Sequence, residues 1–154
     1  GKLPIVRFGS TETCLQVLGT PPQLSEQVRL QAFKRGWCHT TKLNKDVNQD
    51  GGGGGGEEEA CVGYYIGRAH SPHTEVLVVA SVDPKHPQYM NEVLEGCVGV
   101  LVTRGLNVMT SYVNDDTSTR AALHPASDQG LDWYVNLGDI CFWLINENDG
   151  GKDI

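Results

Sequence analysis

The chain has 154 residues, 39% hydrophobic and 20% charged, which suits one domain or a large part of one. Its formal net charge of -7 and pI near 5.1 give an acidic surface that repels phosphate backbones, so nucleic acid is not an expected partner. A nucleotide is still allowed, because backbone N–H groups and a metal ion can supply the attraction.

No apolar run approaches the roughly 20 residues needed to span a bilayer, and no secretory signal is visible. The five cysteines, Cys14, Cys38, Cys61, Cys97 and Cys141, are odd in number, widely spaced and without a Cys-x-x-Cys pair. That pattern fits reduced thiols, and a cytoplasmic or organellar setting is expected. Gly1-Lys2 opens without an initiator Met, and no closing element is expected at Lys152-Asp153-Ile154. Both ends read as cuts in a longer protein.

In chain order, residues 3–8 form a short apolar run that predicts a buried strand. The polar stretch 9–13 is turn-prone. Ser25-Glu26 predicts a helix start, with Val28, Leu30, Ala32 and Phe33 on an apolar face and Gly36 as the stop. Residues 39–50 read as loop. Gly51 to Gly56 is a six-glycine run followed by Glu57-Glu58-Glu59. Glycine loses the most conformational freedom on ordering and the acids repel one another, so residues 46–59 are expected to be a disordered insertion.

Beyond it, residues 61–66, 75–82, 98–103, 108–113 and 140–145 read as strands punctuated by turn residues. Asp115-Asp116-Thr117 predicts the cap of a short helix through Leu123. The fold class expected is α+β: a strand and helix of α/β type, then a largely antiparallel distorted β-barrel.

Three segments carry the candidate chemistry: Phe8-Gly9-Ser10-Thr11-Glu12, then residues 99–108 running on to Tyr112, then Trp133-Tyr134 with Gly138-Asp139. Phe8 at a strand end before a glycine can stack on a base, worth roughly 1–3 kcal/mol by analogy with single-stranded nucleic acid. Gly9 lets the backbone approach a ligand. Thr11 offers a hydroxyl to a phosphate oxygen. Glu12 offers a hard carboxylate that suits Mg²⁺. Asp139 can accept from both hydroxyls of a ribose. Taken singly, each has a plainer reading as a core aromatic or a solvated acid.

The ordered set resembles the adenylate-forming superfamily of acyl-CoA synthetases, peptide-synthetase adenylation domains and luciferases. Phe8 to Glu12 is similar to its aromatic-Gly-x-Thr-Glu motif. The segment from Gly99 to Tyr112 is similar to its Gly-Glu-Leu…Gly-Pro…Gly-Tyr stretch. Trp133-Tyr134…Gly138-Asp139 is similar to its Trp-Tyr-x-Thr-Gly-Asp motif, and Gly67-Arg68 to its Gly-x-Pro stretch. Departures are Val100 for Glu, Leu106 for Pro, Ser111 for Gly and Leu137 for Thr.

The resemblance implies that residues 1–154 are the C-terminal part of the large N-terminal, AMP-binding domain of an AMP-forming acid–thiol ligase. Such an enzyme converts a carboxylic acid and ATP to acyl-adenylate and pyrophosphate, then forms an acyl thioester with CoA. It implies ATP, Mg²⁺ and CoA as ligands. By position, Phe8 contacts adenine, Thr11 the AMP phosphate, Glu12 the Mg²⁺ and Asp139 the ribose. The partners implied are the carboxylic acid and the rest of the parent enzyme, with its phosphate loop and C-terminal lysine domain. Lacking those parts, the chain alone is expected not to catalyse adenylation; ATP–pyrophosphate exchange by the purified chain checks this, and any turnover overturns it.

Two other readings stand beside it. Asp46-x-Asn48-x-Asp50-Gly51 with Glu57 fits an EF-hand calcium loop position by position. Against it, Gly53 brings no apolar side chain and the residues that follow read as a strand rather than an exiting helix. The other reading is a catalytically silent, nucleotide-binding homologue. His70, His73 and His86 read as surface residues rather than metal ligands. Trp37, Trp133 and Trp143 read as packing residues.

Overall fold

The fold is that of a computed structural model, which describes residues 3–14, 16–37, 63–70, 72–128 and 130–154, with the backbone alone at 35–37. The six-glycine run and the calcium-loop pattern lie outside the described residues.

Among them, ten strands and two α-helices follow one another. They are β1 (Arg7–Phe8), β2 (Leu18–Gly19), α1 (Glu26–Trp37), β3 (Arg68–Ala69), β4 (Thr74–Val79), β5 (Gly99–Gly105), α2 (Asp116–Ala122), β6 (Leu123–His124), β7 (Trp133–Tyr134), β8 (Ile140–Cys141), β9 (Leu144–Ile145) and β10 (Lys152–Asp153). A 3₁₀ turn, Thr11–Thr13, follows β1.

The organising element is β5. It pairs antiparallel with β4 over its whole length, from Thr74↔Gly105 to Val79↔Val100. Its other edge takes β7 at Thr103↔Tyr134 and β8 at Gly99↔Cys141 and Val100↔Ile140. Residues 76–79 and 100–102 of these strands are apolar because both faces are covered there. On one side Val76, Val78 and Leu101 pack with Val17, Leu18, Val93 and Cys97. On the other, Val79 and Val102 pack with Trp133 and Val135. Smaller sheets are formed by β1-β2-β3 and by β9-β10, all antiparallel.

The mixed, antiparallel character matches the expected class, but no sheet closes into a barrel among the described residues. Most strands are only two residues long, too short to carry a ladder around a circle, and β9 and β10 pair with each other instead. The strand expected to be of α/β type is also different: β1 belongs to the antiparallel β1-β2-β3 sheet.

Several boundaries move. The buried strand expected at 3–8 shrinks to Arg7–Phe8, and Ile5 is 67% exposed. In α1, Val28 and Ala32 are buried while Leu30 faces outward, and the helix runs one residue past Gly36. Residues 63–66 are not strand. Residues 108–113 are not a strand either, because their backbone and side chains bind the turn after β1 and the start of α2. The helix start was legible: Asp115 caps α2, accepting from the Ser118 N–H at 2.9 Å. The closing residues also have a place. Lys152 and Asp153 pair with Ile145 and Leu144, and Ile154 exchanges backbone hydrogen bonds with Ile66 and Gly67.

Candidate functional site

The first motif turns sharply after β1. The Ser10 N–H donates to the Thr13 hydroxyl at 2.9 Å, and that hydroxyl donates back to the Ser10 carbonyl at 3.1 Å. This local exchange bends the chain into the 3₁₀ turn and leaves Thr11 exposed and Glu12 half-buried. Short polar side chains at 10 and 13 are what permit it.

The loop after β5 then clamps this turn. The Asn107 side-chain amide donates to the carbonyls of Thr13 (3.3 Å) and Gln16 (3.1 Å), while its oxygen accepts from Thr74 Oγ1 at 3.1 Å. The Met109 N–H donates to the Glu12 carbonyl at 2.7 Å. The Tyr112 hydroxyl donates to Glu12 Oε1 at 3.2 Å.

Glu12 is held ionised. Its own backbone N–H, the Ser10 hydroxyl and Tyr112 all favour the charged form, so its carboxyl sits below the usual carboxylate range. Behind it lies Tyr134, buried, with its hydroxyl donating to the Asn136 carbonyl at 3.1 Å. Burial chiefly, and then Tyr112 and the Glu12 charge, push the Tyr134 phenol above its ordinary value.

The third motif runs back along β5. Trp133 and Tyr134 form β7, Ile140 and Cys141 form β8, and the Leu101 N–H donates to the Asp139 carbonyl at 3.2 Å between them. Gly138 makes this excursion with φ +80°. The Asp139 carboxylate is thereby left exposed at the mouth of a cavity of about 290 Å³. Phe8 lines the same cavity, with Tyr65, Ile66, Cys141 and Ile154 among the other walls. Phe8 is half-buried and also packs against the core, as its plainer reading expects. Burial pushes the Cys141 thiol up to about 12, with the Asp139 charge adding, which leaves it protonated.

The three segments singled out in the sequence therefore meet through β5. Phe8 and Asp139 share one cavity, while Thr11 and Glu12 stand on the adjoining turn. The donor set suits Mg²⁺: one ionised carboxylate, as expected for an ion that takes most of its ligands from phosphates and water. No group of three or more potential metal-ligating side chains occurs among the described residues. His70 and His73 are exposed, and His70 Nε2 lies 2.6 Å from Gln16 Nε2. Trp133 is buried under the Arg104 guanidinium, and Trp143 donates its indole N–H to the Val93 carbonyl. No described helix is long and apolar enough to cross a membrane.

Sequence reasoning did not find the roles of Asn107, Tyr112, Tyr65 and Arg68. Tyr112 was visible as the end of a motif. Nothing in one sequence shows that its hydroxyl reaches a residue a hundred positions earlier.

No protein-family profile matches the chain, and no curated protein matches it. Solved structures do. A long-chain-fatty-acid-CoA ligase from Archaeoglobus fulgidus is 18% identical, with a TM-score of 0.51; the match covers 94% of this chain and 20% of that one. An ATP-bound RpMatB–BxBclM chimera is 17% identical at TM-score 0.51, covering 97% of this chain and 19% of that one. The adenylation domain of a keto acid-selecting NRPS module, bound to a keto acyl adenylate, is 15% identical at TM-score 0.55, covering 97% and 23%. The likeness is one of fold: almost the whole chain follows the course of one segment of these proteins. It spans about a fifth of their length.

Proposed function

We propose that this chain is the nucleotide-holding part of an AMP-forming acyl-activating ligase, which joins a carboxylic acid to AMP and passes the acyl group on, with CoA as the acceptor. In this reading residues 1–154 are the C-terminal part of the AMP-binding domain. The observation that carries the reading is the meeting of Phe8 and Asp139 at one cavity beside the Glu12 turn. The solved structures that share the fold include one described as ATP-bound and one bound to an acyl adenylate, which supports it.

The division of labour follows from chemistry. The Phe8 ring offers a flat apolar wall to adenine. The Asp139 carboxylate accepts from the two ribose hydroxyls. The exposed Thr11 hydroxyl donates to the α-phosphate. Glu12 is the residue that holds Mg²⁺, an ion that neutralises phosphate charge and so lets an anionic acid approach. The chain's own contribution is positioning, because the attack of a carboxylate on the α-phosphorus needs in-line geometry more than a protein base. Pyrophosphate leaves as the new oxygen–phosphorus bond forms.

Equilibrium dialysis of ATP against the chain tests the reading. In D139N the ribose hydroxyls lose a charged acceptor, so ATP is expected to bind at least tenfold more weakly, since a hydrogen bond to a charged group is worth about 1.5–3 kcal/mol. 2′,3′-Dideoxy-ATP should bind both proteins alike. Equal ATP affinity in the two proteins overturns the assignment of Asp139.

A further inference from the structure

We propose that Tyr112 is a positioning residue for Glu12, and that the loop carrying it aims the Glu12 carboxylate at its cation. The inference rests on the reading of Glu12 as the cation-holding carboxylate.

A glutamate on a surface turn has three rotatable side-chain bonds, and fixing it in one geometry carries an entropy cost. Here that geometry is already set. Tyr112 donates to Oε1 at 3.2 Å, which fixes one oxygen of the carboxylate. The same loop holds the other end of the residue, through Met109 N–H on the Glu12 carbonyl. Asn107 fixes the turn's exit at Thr13 and Gln16.

The tether is braced from behind. The Tyr112 N–H donates to Thr119 Oγ1 at 2.9 Å, and that hydroxyl donates to the Asp115 carbonyl at 2.8 Å. Asp115 is the cap of α2. Hydrogen bonds at the two ends of Tyr112, its backbone N–H and its phenol, thus link the start of α2 to one carboxylate oxygen. These bonds also explain why residues 108–113 give up a strand's hydrogen bonds.

The test follows the Glu12 carboxyl itself, in the chain labelled with carboxyl-¹³C glutamate. Its resonance, assigned by its loss in E12Q, is followed by Mn²⁺ paramagnetic broadening with ATP present. Y112F keeps the ring and removes only the hydroxyl. It is expected to need roughly tenfold more Mn²⁺ for equal broadening, the low end of what losing a ligand's hydrogen-bond partner costs. Y89F, which removes a phenol bonded to His124 at 3.0 Å, should leave the titration unchanged. An amide spectrum establishes that Y112F is folded. If it is not, T119V reads the same brace with the phenol intact and should lose affinity several-fold. Unchanged Mn²⁺ broadening in a folded Y112F, or in T119V, overturns the proposal while the role of Glu12 stands. No broadening at Glu12 in the unmodified chain overturns both.

Discussion

Replacing Gly67 with alanine is expected to cost about 3 kcal/mol or more of folding stability, because backbone strain and a backbone clash act together. Gly67 has φ +113°, which L side chains rarely adopt. A Cβ there would sit 2.5 Å from the carbonyl carbon of Gly19 and 2.6 Å from its Cα and N. Those atoms belong to β2, which pairs with β3 at Gly19↔Arg68, so they cannot swing aside as a long side chain would. Gly67 is held on its other side too, where its carbonyl accepts from the Ile154 N–H at 3.0 Å. A shift of β3 would therefore move Ile66 and Ile154, which wall the cavity shared by Phe8 and Asp139. Gly138 is the control. It has φ +80° but nothing within 4 Å of a built Cβ, so G138A pays strain alone, about 1 kcal/mol. Urea unfolding of the two variants separates the terms, and equal losses would show that the clash at Gly19 is not what makes Gly67 necessary.

How far the sequence carried depends on the range of the interactions. The β4–β5 ladder and the α2 cap were legible because they rest on local signals: apolar runs for the strands, and Asp115 ahead of a helical stretch for the cap. The same logic misread residues 3–8 and 108–113. Both are apolar enough for a strand, but Ile5 and Val113 face outward and the second segment bonds to Glu12 and Thr119 instead of a neighbouring ladder. The motif residues of the site were visible as an ordered set, and the fold explains why the order matters: Asp139 reaches the Phe8 cavity because its segment runs back along β5. The bonds that hold the set together join positions 12 and 112, or 13 and 107. Such pairs leave no periodic trace in one sequence. Arg68 was read only as part of a glycine-containing stretch, and its partners lie more than eighty residues on.

Those partners make Arg68 the second position where a large loss is expected. Its Nε donates to Asp153 Oδ1 at 2.5 Å, and its two Nη atoms grip Asp149 at 2.8 and 3.0 Å. Asp153 is 7% exposed, and its other oxygen accepts at 2.8 Å from Asn146, which is fully buried and also reaches the Val28 carbonyl of α1. The two branches differ in weight. Asp149 is more open to water, so its pairing contributes little. Asp153 has almost no water to turn to. R68M keeps most of the apolar stem but leaves that carboxylate buried without its cation, and about 3 kcal/mol of stability should be lost. The double variant R68M/D153N removes the stranded charge while keeping an oxygen for Asn146, and should recover most of the loss. The Asp149 branch adds a small pH signature. Arg68 holds that carboxyl below its usual range in the folded protein. Its share of stability is therefore complete above the unfolded value, about 3.9, and fades as pH falls through the depressed folded value. R68M should lose this acid-side slope. Urea midpoints at neutral pH and along an acid series read both effects. If R68M/D153N is no more stable than R68M, the cost lies in packing around the arginine stem rather than in the stranded charge.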